Sequence, residues 1–321
     1  NVPYESINTP EELEPWLQTI KENEEGVVPY LVDAGPSRLA DAYNYNKENV
    51  GPGRMYQLVD GKVTYMWLYD QAWEAAQVMY EWNSKGYLQP EVVDTGDARA
   101  DRYFTDGAWF AYAHVNHPGK AGELSAQWGY PIVQGDTING IPMVDKDTFL
   151  GSMMAISVTS QKKVPAIKVL DLMNKDKDFN NLNNYGIEGT HYEFADKEAG
   201  VIKLLPAEGQ AYRPGMAWAL QNQFLTYVTE SEDPDKWVKY AAYNRTAGLH
   251  STVGFFSDME PVKTEDASVG SVMDTYMVTL MRGLMDPSEI KEEVQQAIID
   301  SGVNVIEAEL QSQVDAFLAS K

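Results

Sequence analysis

The sequence predicts an α/β protein with a helical C-terminal region, and three observations support that class. A helix signal is followed directly by a short apolar run near the start of the chain. An apolar run followed by a helix signal returns near residue 153. The last third of the chain carries apolar residues at helical spacing. Strands that alternate with helices are typical of α/β folds, in which helices cover the faces of a sheet.

The first helix has a complete start signal. Thr9 stands at the N-cap position, Pro10 at the first helical position, and Glu12 closes a capping box. The apolar residues that follow fall at i, i+3, i+4 and i+7 and form one stripe: Leu13, Trp16, Leu17 and Ile20. Residues 26–32, GVVPYLV, then predict a short buried strand.

Turn and cap residues divide the following segment. Asp60-Gly61 predicts a hairpin turn between QLV and KVTYMW, and Asp70 is expected to cap a helix that stops near Gly86. Residues 101–112 predict a short helix that runs into the strand AWFAYAH. The loop VNHPG follows that strand.

The second half of the chain repeats the strand–helix order and then becomes helical. Residues 153–158, MMAISV, predict a strand, and Pro165 opens a helix that reaches Met173. Residues 215–228 predict another helix. Three helical segments end the chain, one over 268–284, one restarted by Asp286-Pro287-Ser288-Glu289, and one after Gly302.

Composition limits the possible functions. The chain has 321 residues, enough for two domains, with 44% hydrophobic and 23% charged residues. No apolar run approaches the roughly 18 residues of a membrane span. The formal net charge of −23 makes nucleic acid an unsuitable partner, because phosphates are repelled by an acidic surface. No cysteine is present, so disulfides, thiol nucleophiles and zinc–thiolate sites are excluded.

The aromatic residues are of a kind that suits sugars. The sequence holds 19 Tyr and 8 Trp against 9 Phe. Tyr and Trp combine an apolar ring with a hydrogen-bonding group, and the C–H faces of pyranose rings stack on such rings. For most of them a buried or half-buried packing role is the alternative.

The segment 180–194, NNLNNYGIEGTHYEF, is the most distinctive motif. It combines four asparagines with Gly186 and Gly189, and it predicts a loop that folds back on itself. An ordinary irregular loop remains the alternative. Glu188 and Glu193 permit a hydrolytic reading, but carboxylates also accept hydrogen bonds from sugar hydroxyls, and binding is favoured over catalysis.

No motif of an enzyme or nucleotide-binding protein is found: GxGxxG, GxxxxGK(S/T), GxSxG and HExxH are all missing. His114 and His117 have ligand-like spacing, but Asn116 and Pro118-Gly119 make the segment a turn. A solvated loop or a ligand-contact loop is therefore expected instead of a metal site. No metal and no cofactor are predicted.

Three segments resemble one family, and together they are specific to it. NYGIEGTHYE, within 181–193, is similar to its NYGIEG(K/T)HYE signature, and WALQNQFLTY, at 218–227, to its W…NQFLTY run. GFFSDMEPVKTE, at 254–265, resembles the start of the C-terminal region of LipO-type lipoproteins. These are extracellular solute-binding proteins of ABC importers, of family 1 and maltose-binding-protein type.

The resemblance implies a periplasmic-binding-protein-like fold. Two α/β lobes are joined by hinge crossings, a ligand lies in the cleft between them, and closure buries it. Residues 8–150 are expected to form one lobe, 151–255 the returning and incomplete part of the second, and 256–321 a helical region packing back on the first. Members usually begin with a signal peptide, a lipid-bearing cysteine and a first α/β region. Since none is recognised, we expect the N-terminal region to be lacking.

The implied function is non-enzymatic. A carbohydrate, usually an oligosaccharide, is bound at the surface of a bacterium by a lipoprotein, monomeric at full length, and delivered to the permease subunits of an ABC importer. The alternatives are a secreted carbohydrate-active hydrolase and a receptor for peptides or other polar solutes on the same fold. Ligand contacts are predicted for the following residues: Tyr185, Glu188, His191, Tyr192, Trp218, Asn222, Gln223, His114, Asn116 and His117.

Overall fold

The structure is a computed structural model that describes residues 2–32, 48–89, 99–135, 142–144, 148, 151–205, 212 and 217–321. The chain divides into two compact units. The first unit comprises residues 1–116, 133–146 and 247–321, and the second comprises residues 117–132 and 147–246. The C-terminal helical region belongs to the first unit. The segment 117–132 lies in the second unit, whereas the predicted boundaries placed it with the first lobe.

The first unit contains both helices and short strands in its described residues. Its helices are α1 (Pro10–Asn23), α2 (Asp70–Ser84), α3 (Arg99–Asp106), and, after the second unit, three C-terminal helices whose bounds are given below. Its strands are β1 (Val28–Leu31), β2 (Glu48–Asn49), β3 (Tyr56–Val59), β4 (Lys62–Tyr65), β5 (Trp109–Tyr112), β6 (Met143–Val144) and, late in the chain, β10 (Gly248–Leu249).

Helix α1 begins as predicted. The backbone N–H of Glu12 donates to Thr9 Oγ1 at 3.2 Å, and the Thr9 N–H donates to Glu12 Oε2 at 3.2 Å. This reciprocal pair is a capping box, and it satisfies donors that a helix start otherwise leaves unpaired. The stripe behind it places Leu17 in the interior beside β1.

Strand β1 pairs in parallel with β5, with Val28 opposite Trp109 and Tyr30 opposite Ala111. The predicted hairpin is confirmed: β3 and β4 are antiparallel, and both turn residues have positive φ, 52° at Asp60 and 78° at Gly61. Such angles are those of the two-residue type I′ turn. The segment that follows β5 contains His114 and His117. It therefore begins at the carboxyl end of a parallel strand.

Three helices end the chain in the first unit: α9 (Lys263–Met281), α10 (Pro287–Asp300) and α11 (Val303–Ala319). They pack with α2 and the β3–β4 hairpin around one apolar core, whose members include Trp67, Met281 and Ile306. Side chains of α11 also bond to backbone N–H groups of β4. Glu307 accepts from the Tyr65 N–H and Gln311 accepts from the Val63 N–H, both at 2.7 Å. The predicted C-terminal helices are thereby confirmed.

The predicted cap at Asp70 is wrong. Tyr69 is the N-cap residue of α2 and makes no side-chain cap, whereas Asp70 is the first helical residue. Its carboxylate accepts from Lys291 Nζ of α10 at 2.6 Å. An acidic residue in the first turn still interacts favourably with the helix dipole.

The second unit is smaller and its described residues bury few apolar side chains. Its helices are α4 (Lys120–Trp128), α5 (Lys163–Lys175), α6 (Lys177–Tyr185), α7 (Ala217–Leu220) and α8 (Lys236–Arg245), and its strands are β7 (Tyr192–Asp196), β8 (Val201–Leu204) and β9 (Val228–Thr229). Strand β8 pairs antiparallel with β7 and parallel with β9. Among the described residues of this unit, the buried hydrophobic ones are Leu124, Met173, Tyr192, Ile202 and Val228.

The asparagine-rich segment is a helix rather than the predicted loop. Residues up to Tyr185 complete α6, and the reversal comes only at Gly186. Gly186 has φ of 82°, and a Cβ there would lie 2.6 Å from His191 Nδ1, so a glycine is required on both counts. Asn is a turn residue by local preference, and tertiary hydrogen bonds described below override that preference.

Two further predictions in this unit fail. Residues 153–157 form no strand with any described residue, and Val158 lies in a turn. The predicted helix over 215–228 is reduced to α7, a 3₁₀ turn at Gln223–Leu225 and strand β9, while 215–216 lie outside the described residues. The predicted helix from Pro165 to Met173 is confirmed within α5. No helix in the described ranges is long and apolar enough to cross a membrane.

Candidate functional site

The asparagines of α6 hold the segment 221–227 in place. The Asn180 amide donates to the backbone carbonyl of Asn222 at 3.0 Å, and the Asn181 amide donates to that of Leu225 at 2.9 Å. In return, the Tyr227 N–H donates to Asn181 Oδ1 at 2.8 Å. Both asparagines are buried, and buried amides are stable only when their donors and acceptors are paired. The first and second sequence motifs are therefore one hydrogen-bonded structure.

Three rings stack at the edge of this structure. The Phe224 ring lies 5.6 Å from that of Tyr240 with an interplanar angle of 23°. The Tyr240 ring lies 4.8 Å from that of His117, at 24°. Offset, nearly parallel rings at these distances are an attractive arrangement for aromatic pairs. Phe224, Tyr240 and His117, together with Trp237, are called the aromatic platform below.

Trp237 anchors the platform. Its indole N–H donates to the carbonyl of Thr226 at 2.9 Å, and its ring contacts Phe224 at 5.4 Å and Tyr240 at 6.1 Å. Trp237 and Tyr240 are three residues apart on α8, so both project from one side of the helix. Phe224 remains 40% exposed, which leaves apolar ring surface open to solvent.

A buried charge network supports the His117 end of the platform. Lys236 Nζ lies 2.6 Å from Glu123 Oε1 and 2.6 Å from Glu232 Oε1. His117 Nε2 lies 3.4 Å from Glu123 Oε2, and Lys120 Nζ lies 3.3 Å from the same oxygen. Glu123 thus joins the loop before α4 to the first turn of α8, where the platform residues begin.

The electrostatics of Glu123 favour its ionised form. Burial raises the pKa of the Glu123 carboxyl, but the hydrogen bond with His117 and the positive charge of Lys236 outweigh it and hold that pKa far below its ordinary value. The carboxylate therefore stays charged at any pH at which the protein is used. It serves as a fixed hydrogen-bond acceptor for His117 and the two lysines.

Ring faces beside fixed charges and amides can bind a ligand with apolar C–H faces and polar edges. The exposed part of the Phe224 ring offers an apolar face, and Gln223 offers a half-buried side-chain amide that bonds to no other described residue. Asn222 is already committed, since its Oδ1 accepts from the Phe224 N–H at 3.2 Å. Among the predicted ligand residues, His117 belongs to the platform, and Asn222 and Gln223 directly precede its Phe224 in the chain.

Trp218 is the most open of the predicted ligand residues. It lies on the short helix α7 with 62% of its surface exposed, and its ring contacts no other described ring. An indole that is this accessible contributes little to the interior. The sequence prediction that Trp218 contacts a ligand stays a prediction, and its exposure is compatible with that role.

Tyr185 and Tyr192 belong to a second ring group with Phe194 and Tyr227, in which Tyr192 is buried and the other three rings are half-buried. The Tyr185 hydroxyl donates to the carbonyl of Tyr227 at 3.0 Å, and burial raises the pKa of Tyr185 above its ordinary range. These contacts join the two tyrosines to each other and to the 221–227 segment. They hold β7 against the 221–227 segment, and a ligand contact by either tyrosine remains untested.

Glu188 and His191 lie on the turn between α6 and β7. Glu188 is exposed, 3.4 Å from Lys197 Nζ, and this ion pair is of the weak surface kind. His191 Nδ1 accepts from the Ile187 N–H at 2.9 Å, and its ring lies 5.9 Å from that of Tyr212. His191 therefore shapes the turn, and no ring contact joins either residue to the platform within the described residues.

His114 and Asn116 lie in the first unit, after strand β5. His114 is exposed and its ring lies 5.5 Å from that of Tyr112, while the Asn116 amide donates to the carbonyl of Gly135 at 3.0 Å. The position after the carboxyl end of a parallel strand is where α/β folds commonly bind ligands. In the described ranges, His114 and His117 do not form part of any cluster of three metal-ligating residues.

Sequence reasoning missed Tyr240, Trp237, Lys236 and Glu123. The i, i+3 spacing of Trp237 and Tyr240 behind Asp233-Pro234 was a readable helix signal. No sequence signal pairs Glu123 with Lys236, because the two are 113 positions apart and only the fold brings them together. The same holds for the stacking of His117 on Tyr240.

The fold is that of the solute-binding proteins of ABC transporters. The crystal structure of the N-glycan transport solute binding protein (NgtS) from Streptococcus pneumoniae matches with a TM-score of 0.82 at 20% identity, covering 99% of this chain and 70% of that one. The same protein in complex with Man5GlcNAc matches with a TM-score of 0.80 at 21% identity, covering 100% and 70%. The predicted periplasmic-binding-protein-like α/β fold is confirmed.

Sequence relatives agree with this class. A carbohydrate ABC transporter substrate-binding protein of Streptococcus pneumoniae serotype 4 (strain ATCC BAA-334 / TIGR4) is 23% identical over 321 residues, or 98% of this chain. The chain spans 64% of the length of that relative. Residues 251–319 match the family model described as a domain of unknown function, DUF3502. The resemblance to sugar-binding components of ABC importers is confirmed, and these relatives are named as binding proteins.

Proposed function

We propose that the protein is the solute-binding receptor of an ABC importer and that it binds a carbohydrate, in particular an oligosaccharide, without converting it. The observation that carries the proposal is the aromatic platform, in which Phe224, Tyr240 and His117 stack in near-parallel order. A pyranose presents an apolar C–H face and polar edges, and the platform with the Gln223 amide offers the complementary surface. The names of the relatives support the same substrate class.

The proposal includes a partner and a location for the protein. A receptor of this class delivers its ligand to permease subunits in the membrane, and it works outside the cell as a lipoprotein. A cleft between two lobes and closure around the ligand remain expectations from the family resemblance. No cofactor is proposed.

Calorimetry against a panel of oligosaccharides tests the proposal. We expect saturable binding of at least one glycan and loss of about 1–3 kcal/mol of binding free energy in Phe224→Ala, by analogy with aromatic stacking on nucleobases. Phe256→Ala is the matched control, because Phe256 is an exposed phenylalanine of the first unit. Analysis of the glycans after incubation separates the alternatives. Shortened products would establish a hydrolase, and binding of peptides alone would establish a peptide receptor.

A further inference from the structure

An open groove lies on the surface of the first unit, between helix α11 and the 3₁₀ turn Glu260–Val262. Its volume is about 540 Å³, and most of the residues that line it are apolar. The lining residues are Pro261, Val262, Asn304, Val305, Ala308 and Glu309. Ligand sites in proteins commonly have volumes of this order, with apolar walls and a few polar groups. The groove is therefore large enough to hold an apolar side chain of a binding partner.

The walls of the groove are fixed by the core beneath them. Val262 is almost fully buried and belongs to the same apolar core as Ile306 of α11. Gln313 of α11 joins the helix to the segment before the turn, because it accepts from the Asp258 N–H and donates to the Asp258 carbonyl, both at 2.8 Å. Val305, in contrast, is 52% exposed. The groove is thus preformed, and little conformational entropy is lost when it is filled.

Carboxylates lie along the groove. Glu309 lines it and is half-buried, while Asp258 and Glu260 are exposed on the segment that leads into the opposite wall. Lys263 pairs with Glu260. Glu309 and Asp258 form no ion pair with any described residue. The groove therefore combines apolar walls with a negative potential that attracts cationic groups.

The charge and the apolar walls together indicate the occupant. A second copy of this chain fits poorly, because it carries the same net charge of −23, and an anionic ligand is repelled for the same reason. A peptide segment with an apolar side chain between arginines or lysines matches both properties. Its apolar side chain would cover Val305 and Ala308, and its cations would pair with Glu309 and Asp258. Complementary charges of this kind raise association rates and fix the register of a partner.

The groove also gives a role to a sequence motif that the candidate ligand site does not use. Pro261 and Val262 belong to the segment 254–265, which takes no part in the aromatic platform. We propose that the groove is a docking site for a partner protein, which inserts an apolar side chain flanked by arginine or lysine. This inference goes beyond the proposed function and does not depend on the identity of the ligand.

Two peptides of equal charge test the proposal: one alternates arginine with leucine, and the other alternates arginine with serine. Each is labelled with a fluorophore and titrated with the 321-residue chain, and fluorescence anisotropy measures binding. We expect the leucine peptide to bind roughly tenfold more tightly, because a leucine side chain is buried in the groove. Equal affinities would overturn the proposal, since they would show that the net charge of the chain alone attracts the peptides.

Variants at the groove locate the binding. Val305→Ser removes part of an apolar wall and Glu309→Gln removes a charge, and each should weaken binding of the leucine peptide by about fivefold. Val278→Ser on α9 and Glu292→Gln on α10 are the matched controls, because both residues are exposed and neither lines the groove. The controls should leave the affinity unchanged. Unchanged affinity in the groove variants, or equal losses in the controls, overturns the proposal.

Two further measurements separate docking from other causes. Thermal unfolding of each variant shows whether the fold is intact, and the exposure of Val305 predicts an unchanged Tm for Val305→Ser. If that Tm falls, Ala308→Gln, which fills the groove from another exposed position, replaces it and should weaken binding to a similar extent. Light scattering measures the mass of the chain alone. A mass that doubles with concentration and is restored to that of a monomer by Ala308→Gln would overturn the proposal by establishing a second copy as the occupant.

Discussion

Lys236 and Glu123 form a buried ion pair, with Nζ 2.6 Å from Oε1, that joins two segments of the second unit far apart in the chain. Lys236 is almost fully buried, and it also bonds Glu232, whose carboxylate accepts from the backbone N–H of Thr229 at 2.8 Å. Because His117 contacts Glu123 and stacks on Tyr240, this pair determines where one end of the aromatic platform lies.

Replacing Lys236 by Met should destabilise the protein by about 3–5 kcal/mol, since Glu232 then loses its cation and Glu123 keeps only the more distant Lys120 and His117. Denaturant unfolding followed by tryptophan fluorescence measures the change. Lys239→Met is the matched control, because Lys239 pairs with Asp233 on the surface and an exposed pair contributes about 0–1 kcal/mol. Equal effects of the two substitutions would show that the Lys236 pair is no stronger than a surface pair.

The pH dependence of stability should carry the signature of Glu123. Its folded-state pKa is depressed from an ordinary value of 4.5, so the unfolded state binds the proton more readily. The stabilisation is therefore complete above about pH 4.5 and is lost as the pH falls below it. Glu123→Gln should remove the part of the fall in unfolding free energy that this carboxyl causes at low pH. Urea unfolding of both proteins at a series of pH values from 3 to 7 measures it, and parallel curves would contradict the assignment.

Trp218→Ala should weaken oligosaccharide binding by about 1–3 kcal/mol if the exposed indole stacks on the ligand, by analogy with base stacking. Its exposure of 62% predicts little change in Tm. Calorimetry and thermal unfolding of the same preparation separate the two readouts. Unchanged affinity with a lowered Tm would instead assign Trp218 to the interior.

The sequence correctly predicted the elements that depend on contacts between residues close together in the chain. Thr9 and Glu12 cap α1 through hydrogen bonds within one turn, and Asp60-Gly61 supplies the positive φ angles that its hairpin needs. The asparagines of α6 misled the prediction because their partners are distant in sequence. The Asn180 and Asn181 amides bond backbone carbonyls of Asn222 and Leu225, more than forty residues away.

The candidate site was predictable only in part, for the same reason. The family-like motif at 218–227 placed Asn222 and Gln223 beside Phe224, and His117 was singled out from the turn after β5. Tyr240 stacks between His117 and Phe224 only because the loop before α4 and helix α8 meet in the fold. The strand predicted at 153–158 failed because pairing needs a neighbouring strand, and a sequence pattern does not show whether one is at hand.

Gly283→Ala should be among the most destabilising single substitutions in the first unit. Gly283 has φ of 64°, and an added Cβ would lie 2.1 Å from the carbonyl oxygen of Met79, so α2 and the end of α9 would have to move apart. Gly26→Ala is the matched control, because Gly26 has φ of 81° but open space around its Cβ position. Gly26→Ala should lower the free energy of unfolding by about 1 kcal/mol, from backbone strain alone. Gly283→Ala should lower it several times as much. Thermal and denaturant unfolding measure both, and equal losses would show that strain, not the close approach of α2, sets the cost at Gly283.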